Sequence, residues 1–388
     1  MSCLRLTSPP AAAGTGPHLP RFRRPAVLEP DPTQRPGRWS RLAHSVMRRP
    51  WPYLLGVLAI LAVLAAPVTR ITFGGFDIRT MPTGSESRVV AERIHADFPT
   101  GATNHIDVFA TGLDPARTAA LITGLKAVPG VNDAAVSAAA GDTALIAVTH
   151  AGDPTGEPAK QIVRAIRTLR PPSGVHIGVT GEAADLVDQL DGMAARLPWM
   201  VLFVIAVTLV LMFAAFGSVV LPVKAVLMNV VSLGAAFGAI VFVFQQGHLA
   251  SWLDYTATGT IEPTTPILMI AVLFGLATDY ELFLLSRIRE ERLAGADNAT
   301  AVTRGLQHTG RIITSAALLV MVVVAGFAAG QIGTIKLLGV GIIVAVIVDA
   351  TLVRALLVPA TMRLLGDWNW WAPAMLTRPQ PQPRRHAP

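Results

Sequence analysis

Six apolar stretches, each close to the length a helix needs to cross a bilayer, constrain this chain more than any motif in it. They fall at residues 51–69, 197–216, 219–244, 263–285, 312–329 and 335–358. Their apolar residues run in blocks and show no one-sided stripe. The blocks leave 15% charged residues in the whole chain, where a soluble domain carries about 25%. The fold class that follows is an α-helical polytopic membrane protein.

The net charge of +7 raises the question of a nucleic-acid partner. Its distribution argues for membrane orientation instead, because the basic residues sit in alternate connections. Arg48 and Arg49 precede the first span, and Arg287, Arg289, Arg292, Arg304 and Arg311 follow the fourth. Arg363, Arg378, Arg384 and Arg385 lie beyond the sixth, whereas residues 245–262 hold no Lys or Arg. This bias predicts cytoplasmic N- and C-termini, with Lys336 as one discordant charge. Residues 1–50 read as a disordered basic cytoplasmic arm, Pro-rich between Pro9 and Pro36, and residues 359–388 as a cytoplasmic tail. Six tryptophans (Trp51, Trp199, Trp252, Trp368, Trp370 and Trp371) flank the spans as interface anchors. The single cysteine, Cys3, excludes an intrachain disulfide, and no Cys/His spacing for a metal occurs.

Residues 70–196 form the one segment outside the spans that is long enough for a domain. Strand patterns at 104–110, 131–138, 143–149 and 175–180 alternate with helical patterns at 115–128 and 157–169. Their order, βαββαβ, predicts an α+β ferredoxin-like extracytoplasmic domain. Residues 197–358 then form a five-helix bundle that joins the first span. Asp185, Asp188 and Asp191 read as a solvated face of the linking helix.

Chemistry is expected inside the membrane, where an ionisable side chain costs about 2.5–3.5 kcal/mol on insertion scales. Asp279 and Asp349 stand out, eight residues before Arg287 and five before Arg354. Each continues a row of small residues at steps of four: Ala271 and Gly275 before Asp279, Gly341 and Ala345 before Asp349. Small residues let helices approach closely, so both carboxylates are expected between helices. A carboxyl group there is suited to binding and releasing a proton. Tyr280 lies about 100° round the helix and joins a relay only if a neighbouring helix receives it. Two plainer readings stay open for Asp349, an ion pair with Arg354 or with Lys336. Glu281 reads as a partner for nearby arginines, and Lys224 as a side chain that snorkels to the surface. Asn229, Ser232, Thr314 and Ser315 read first as packing residues, with cross-helix bonds as the alternative, and Gly234 and Gly238 as packing positions. No nucleotide-binding glycine loop and no hydrolytic triad is present, so no nucleotide partner or enzyme is expected. Energy must come from an ion gradient or a partner, with no cofactor beyond protons.

The run from Phe274 to Glu290, FGLATDYELFLLSRIRE, resembles the fourth-span signature of MmpL-type transporters of the resistance–nodulation–division superfamily. The runs Phe216–Ala225, Asp349–Arg354 and Trp368–Pro373 agree with it in order and spacing. The resemblance implies export of lipids or other hydrophobic molecules across the bacterial plasma membrane, driven by proton entry. It implies an Asp279–Tyr280 relay, with Asp349 as a further candidate, and a ferredoxin-like domain that receives substrate. Members of that family usually carry two such halves in one chain, and this chain resembles the C-terminal half alone. The expected partners are therefore membrane lipids and a second half, either another copy or a separate N-terminal half. A protein-secretion subunit of the SecD/SecF type, a non-transporting lipid-sensing scaffold and an inactive fragment remain as alternatives.

Overall fold

The computed structural model describes residues 38–97 and 105–373. The arm before residue 38 and the tail from 374 to 388 lie outside them. In chain order the helices and strands are α1 (Arg38–Arg48), α2 (Pro50–Ala65), α3 (Glu86–Asp97), β1 (His105–Thr111) and α4 (Pro115–Lys126). Next come β2 (Val131–Ala140), β3 (Thr143–His150), α5 (Glu157–Thr168), β4 (His176–Thr180), α6 (Glu182–Phe216) and α7 (Val220–Ile240). The series ends with α8 (Ala250–Leu253), α9 (Thr264–Leu293), α10 (Asn298–Ala328), α11 (Gly333–Val348) and α12 (Val358–Leu365). Among the described residues six helices are long and apolar enough to cross a membrane. They are α2, α6, α7, α9, α10 and the composite helix that begins with α11 and runs to Trp370.

The four strands form one antiparallel sheet in the order β2-β3-β1-β4, with βαββαβ connectivity. Alternation builds it: Ile106, Val108 and Ala110 of β1 and Ala144, Ile146 and Val148 of β3 all point to one face. That face packs on Leu121 and Leu125 of α4 and on Ile162, Val163 and Ile166 of α5. Each large side chain fully buried there contributes about 1.5–3 kcal/mol. Helix α4 starts on an Asp114 cap that accepts the Arg117 N–H at 2.7 Å, with Pro115 in the first turn. At the β2 edge, Lys126 pairs with Asp133 at 2.6 Å. That bond, reinforced by the Ala134 N–H, holds the Asp133 carboxyl below its usual range.

Helix α6 belongs to both parts of the molecule. Ala183, Ala184 and Val187 complete the core of the sheet domain, and the same helix ends at Phe216, 35 residues from its start. At 1.5 Å per residue it is about 52 Å long, far more than the 30 Å or so of hydrocarbon. Gly217 closes it with φ 64°, its N–H on the Phe213 carbonyl, a left-handed cap that glycine adopts without strain.

Three expectations need correction. Residues 38–48 are not part of a disordered arm; they form α1, whose Trp39 lies against Gly310 and whose Ala43 and Met47 join the bundle core. The arginine-rich connection expected between 285 and 312 is mostly helix. Helices α9 and α10 run on as a hairpin closed by residues 294–297, capped where Asp297 accepts the Ala299 N–H. The arginines there have defined partners: Arg287 with Glu290 at 2.6 Å, Arg292 with Asp367 at 2.6 Å and Arg304 with Glu291 at 3.4 Å. The first part of the tail is docked as well. Buried Ser218 donates from Oγ to the Asn369 carbonyl at 2.6 Å, and the Val219 N–H reaches the Trp371 carbonyl.

Lys336 also departs from expectation. It is buried, and its Nζ donates to the Leu253 and Asp254 carbonyls, at 2.5 and 2.8 Å, at the end of short α8. Close packing of α2 on α7 depends on Gly238. A Cβ there would fall 1.9 Å from the Leu64 carbonyl oxygen, so the two backbones touch where only glycine fits.

Candidate functional site

The polar residues of the bundle gather where α7, α9 and the helix after α11 meet. Residues Asp349–Leu357 form a π-helix between α11 and α12. Its wider turn bonds i to i+5, so Asp349 and Arg354, five apart, share one face. Arg354 donates from Nε to Asp349 Oδ2 at 2.7 Å, and its Nη2 lies 2.6 Å from the same oxygen. Arg354 is buried and Asp349 largely shielded, at 4% and 14% side-chain exposure. Arg354 Nη2 also donates to the Ala277 carbonyl at 2.8 Å, and the guanidinium lies over the Tyr280 ring at 4.9 Å. Of the two plain readings of Asp349, the structure contains the pair with Arg354.

Tyr280 therefore turns inward, received by the sixth span, while Asp279 turns outward. Asp279 and the small residues one and two turns before it, Gly275 and Ala271, are all exposed on α9. A Cβ added at Gly275 would meet nothing within 4 Å. This corrects the expectation that the stripe Ala271–Gly275–Asp279 packs against a neighbouring helix of the chain. The matching stripe on α11 does pack. Gly341 and Ala345 are buried, and a Cβ at Gly341 would lie 2.6 Å from Ile240 and 2.8 Å from Met269. Asp279 instead lines an open cleft of about 570 Å³ with Phe216, Leu282, Phe283, Ser286 and Arg289. Arg289 itself bonds the Ala215 carbonyl across to α6.

Two charged residues that the sequence assigned to the surface lie inside. Lys224 of α7 is 7% exposed and Glu281 of α9 is 5% exposed. Lys224 Nζ and Glu281 Oε1 have no hydrogen-bond partner among the described residues. Glu281 thus does not pair with the hairpin arginines, and Lys224 does not snorkel. A small cavity of about 20 Å³ lies beside Asp349, lined by Asn229 and Ser232 and otherwise by apolar side chains such as Leu273 and Phe274. One ordered water needs about that much space and two or more polar partners. Asn229 is buried with Nδ2 unpartnered, whereas Thr314 and Ser315 bond carbonyls of their own helix, not of another. Among the described residues no cluster of His, Cys, Asp and Glu could hold a metal ion.

Six spans and one ferredoxin-like domain, with an intramembrane cluster of opposite charges, define a multi-pass membrane protein. The sequence profile of the MMPL family matches residues 80–386, and the chain belongs to that family. It is 40% identical over 352 residues to a membrane protein of Streptomyces coelicolor, covering 88% of this chain and 47% of that one. It is 36% identical over 360 residues to the trehalose monomycolate exporter MmpL3 of Mycobacterium tuberculosis, covering 89% and 38%. To the heme uptake protein MmpL11 of the same species it is 35% identical over 350 residues, covering 87% and 36%. The chain thus spans less than half the length of these curated relatives.

Proposed function

We propose that this chain is one half of a proton-driven exporter of lipids or other hydrophobic molecules, completed by a second set of spans. The outward-facing Asp279 carries the proposal. A carboxylate facing lipid in mid-span is costly, and such residues nearly always face a bundle interior or a polar cavity. The stripe of Ala271 and Gly275 beside it offers the close approach that helix partners use. A second half laid on this face, another copy or a separate chain, would bury Asp279 and close the cleft around it. The greater length of the curated relatives supports the same reading. The relative named as a lipid exporter supports export, and the relative named for heme uptake leaves the cargo open.

In this reading Asp279 takes up and releases the coupling proton, while Tyr280 and Asp349 reach it from behind through Arg354. The arginines of the α9–α10 hairpin face the cytoplasm together with both termini, and the sheet domain faces outward, where it meets substrate. The test begins by removing the single native cysteine. In a Cys3→Ser background, Gly275→Cys should cross-link to a second half in membranes, and Asp279→Asn should abolish transport with insertion intact. Transport by a strictly monomeric chain, or by the Asp279→Asn variant, would end the proposal.

A further inference from the structure

We infer that residues 70–75 are a rigid strap that fastens the sheet domain to the start of α9, so that the two move as one body. The inference goes beyond the exporter reading and does not depend on it. In sequence the stretch runs Arg70, Ile71, Thr72, Phe73, Gly74, Gly75 and joins the first span to the sheet domain. A Gly-Gly pair between two folded parts is ordinarily a flexible joint. The structure gives both glycines a different reason. A Cβ at Gly74 would collide with the Thr260 side chain, and one at Gly75 would lie 2.6 Å from Thr155 Cγ2. Each glycine is a point of close approach, the first to the loop before α9 and the second to the sheet domain.

The backbone of the strap is bonded on both sides, where a free linker would leave its amides and carbonyls to water. On the bundle side Gln245 ends the π-helical turn that continues α7, and its amide pairs with the strap as a neighbouring peptide group would. Its Nε2 donates to the Arg70 carbonyl at 2.7 Å, and its Oε1 accepts the Thr72 N–H at 3.0 Å. Thr72 Oγ1 donates to the Gly259 carbonyl at 2.9 Å. Phe73 then forms a parallel bridge with Ile261. The Ile261 N–H donates to the Thr72 carbonyl at 2.9 Å, and the Gly74 N–H to the Ile261 carbonyl at 3.2 Å. Ile261 is buried, and Glu262 beside it accepts the Thr264 and Thr265 N–H groups that open α9. On the domain side Lys160 of α5, itself 6% exposed, donates from Nζ to the Phe73 carbonyl at 3.1 Å and pairs with Glu157 at 2.8 Å. Helix α6 is the other connection between the two parts, and it contains Pro198, where a helix loses a hydrogen bond and can bend. Residues 70–75 hold no proline and are bonded along their length. A tilt of the sheet domain about α6 therefore draws the Phe73 carbonyl through Lys160, and the bridge passes the displacement to Ile261 and the first turn of α9. Lys160 and Gln245 are positioning residues, each holding one side of the strap.

Distances between two spin labels on the full chain test this in a Cys3→Ser background. The labels go on Ala120→Cys, exposed on α4, and on Leu268→Cys, exposed in the second turn of α9. With the strap intact the distance distribution should be single and narrow. Lys160→Met and Gln245→Leu should each broaden it, and Lys160→Arg, which keeps a charged donor, should restore it. Hydrogen exchange followed by mass spectrometry is the second measurement. Amides of residues 70–75 and 259–262 should exchange slowly in the unaltered chain and about tenfold or more faster in Gln245→Leu. Those of β1 and β3 should stay unchanged in both variants. Side chains that only stabilised the sheet domain would give the opposite pattern, faster exchange in β1 and β3 with the distance still narrow, and that result overturns the inference. So does exchange of residues 70–75 at open-chain rates in the unaltered chain, a measurement that needs no variant to fold.

Discussion

Replacing Arg354 by methionine probes the centre of the bundle, because one guanidinium there joins three groups. The substitution nearly keeps the volume of the side chain's apolar stem and removes the charge. Asp349, at 14% side-chain exposure, loses both contacts to its Oδ2, and the Ala277 carbonyl loses its donor. Breaking a buried pair by removing one partner costs about 3–5 kcal/mol, most of it from the stranded charge. At about 1.4 kcal/mol per tenfold, that is a loss of roughly two to three and a half powers of ten in the ratio of folded to unfolded protein. Asp349→Asn/Arg354→Met removes the stranded charge as well and should recover most of the loss, to within about 1–2 kcal/mol of wild type. Arg354→Lys keeps the charge but not the planar fork over Tyr280, and should fall between the two. The assay is reversible unfolding of the full chain in mixed micelles, followed by tryptophan fluorescence. Equal stability of the single and double variants, or a single variant within about 1 kcal/mol of wild type, would refute the argument, since either means that Asp349 is not held by Arg354.

Gly238→Ala should reduce folded yield and thermal stability, by about 1–3 kcal/mol or more, because its Cβ would press on the Leu64 carbonyl at 1.9 Å. Gly275→Ala should leave the stability of the isolated half unchanged or raised by up to about 1 kcal/mol, yet impair transport wherever a second half covers that face; normal transport by this variant would count against the covering partner. Lys126→Met should return the Asp133 titration towards the ordinary carboxylate range, read by carboxyl NMR of the labelled full chain. Because the folded value is depressed, the stabilisation from this pair is present above the ordinary carboxylate range and lost as pH falls through the folded value. The two chains should therefore converge in stability in acid, and a difference that persists there would contradict the assignment.

How much of this was legible in the sequence varied with the physics involved. The sheet domain could be read residue by residue, because period-two alternation at Ile106–Ala110 and Ala144–Val148 leaves one interpretation. The spans were equally plain, since hydropathy over about 20 residues depends on no partner. The ends of α9 and α10 were not. Hydropathy marks where a helix leaves the lipid, while the helix itself continues through Arg287–Arg292 on paired charges. Burial of Lys224 and Glu281 was hidden for a related reason: the helices that cover them lie far away in the sequence, and nothing local records which face turns inward. Asp279 posed the opposite problem. A stripe of small residues reads alike whether its partner lies in the chain or beyond it, and only the exposed Gly275 separates the two.

The π-helix between α11 and α12 turns a matter of geometry into one of counting. Five residues separate Asp349 from Arg354, and only the wide winding of Asp349–Leu357 brings them onto one face. With five residues and ordinary α-winding the two side chains would stand about 140° apart, taking the guanidinium off both the carboxylate and the Tyr280 ring. Deleting one residue between them would leave a spacing of four, which α-winding places on one face. The winding of these nine residues and the count between the two charges are thus a single variable, and changing one without the other parts the pair.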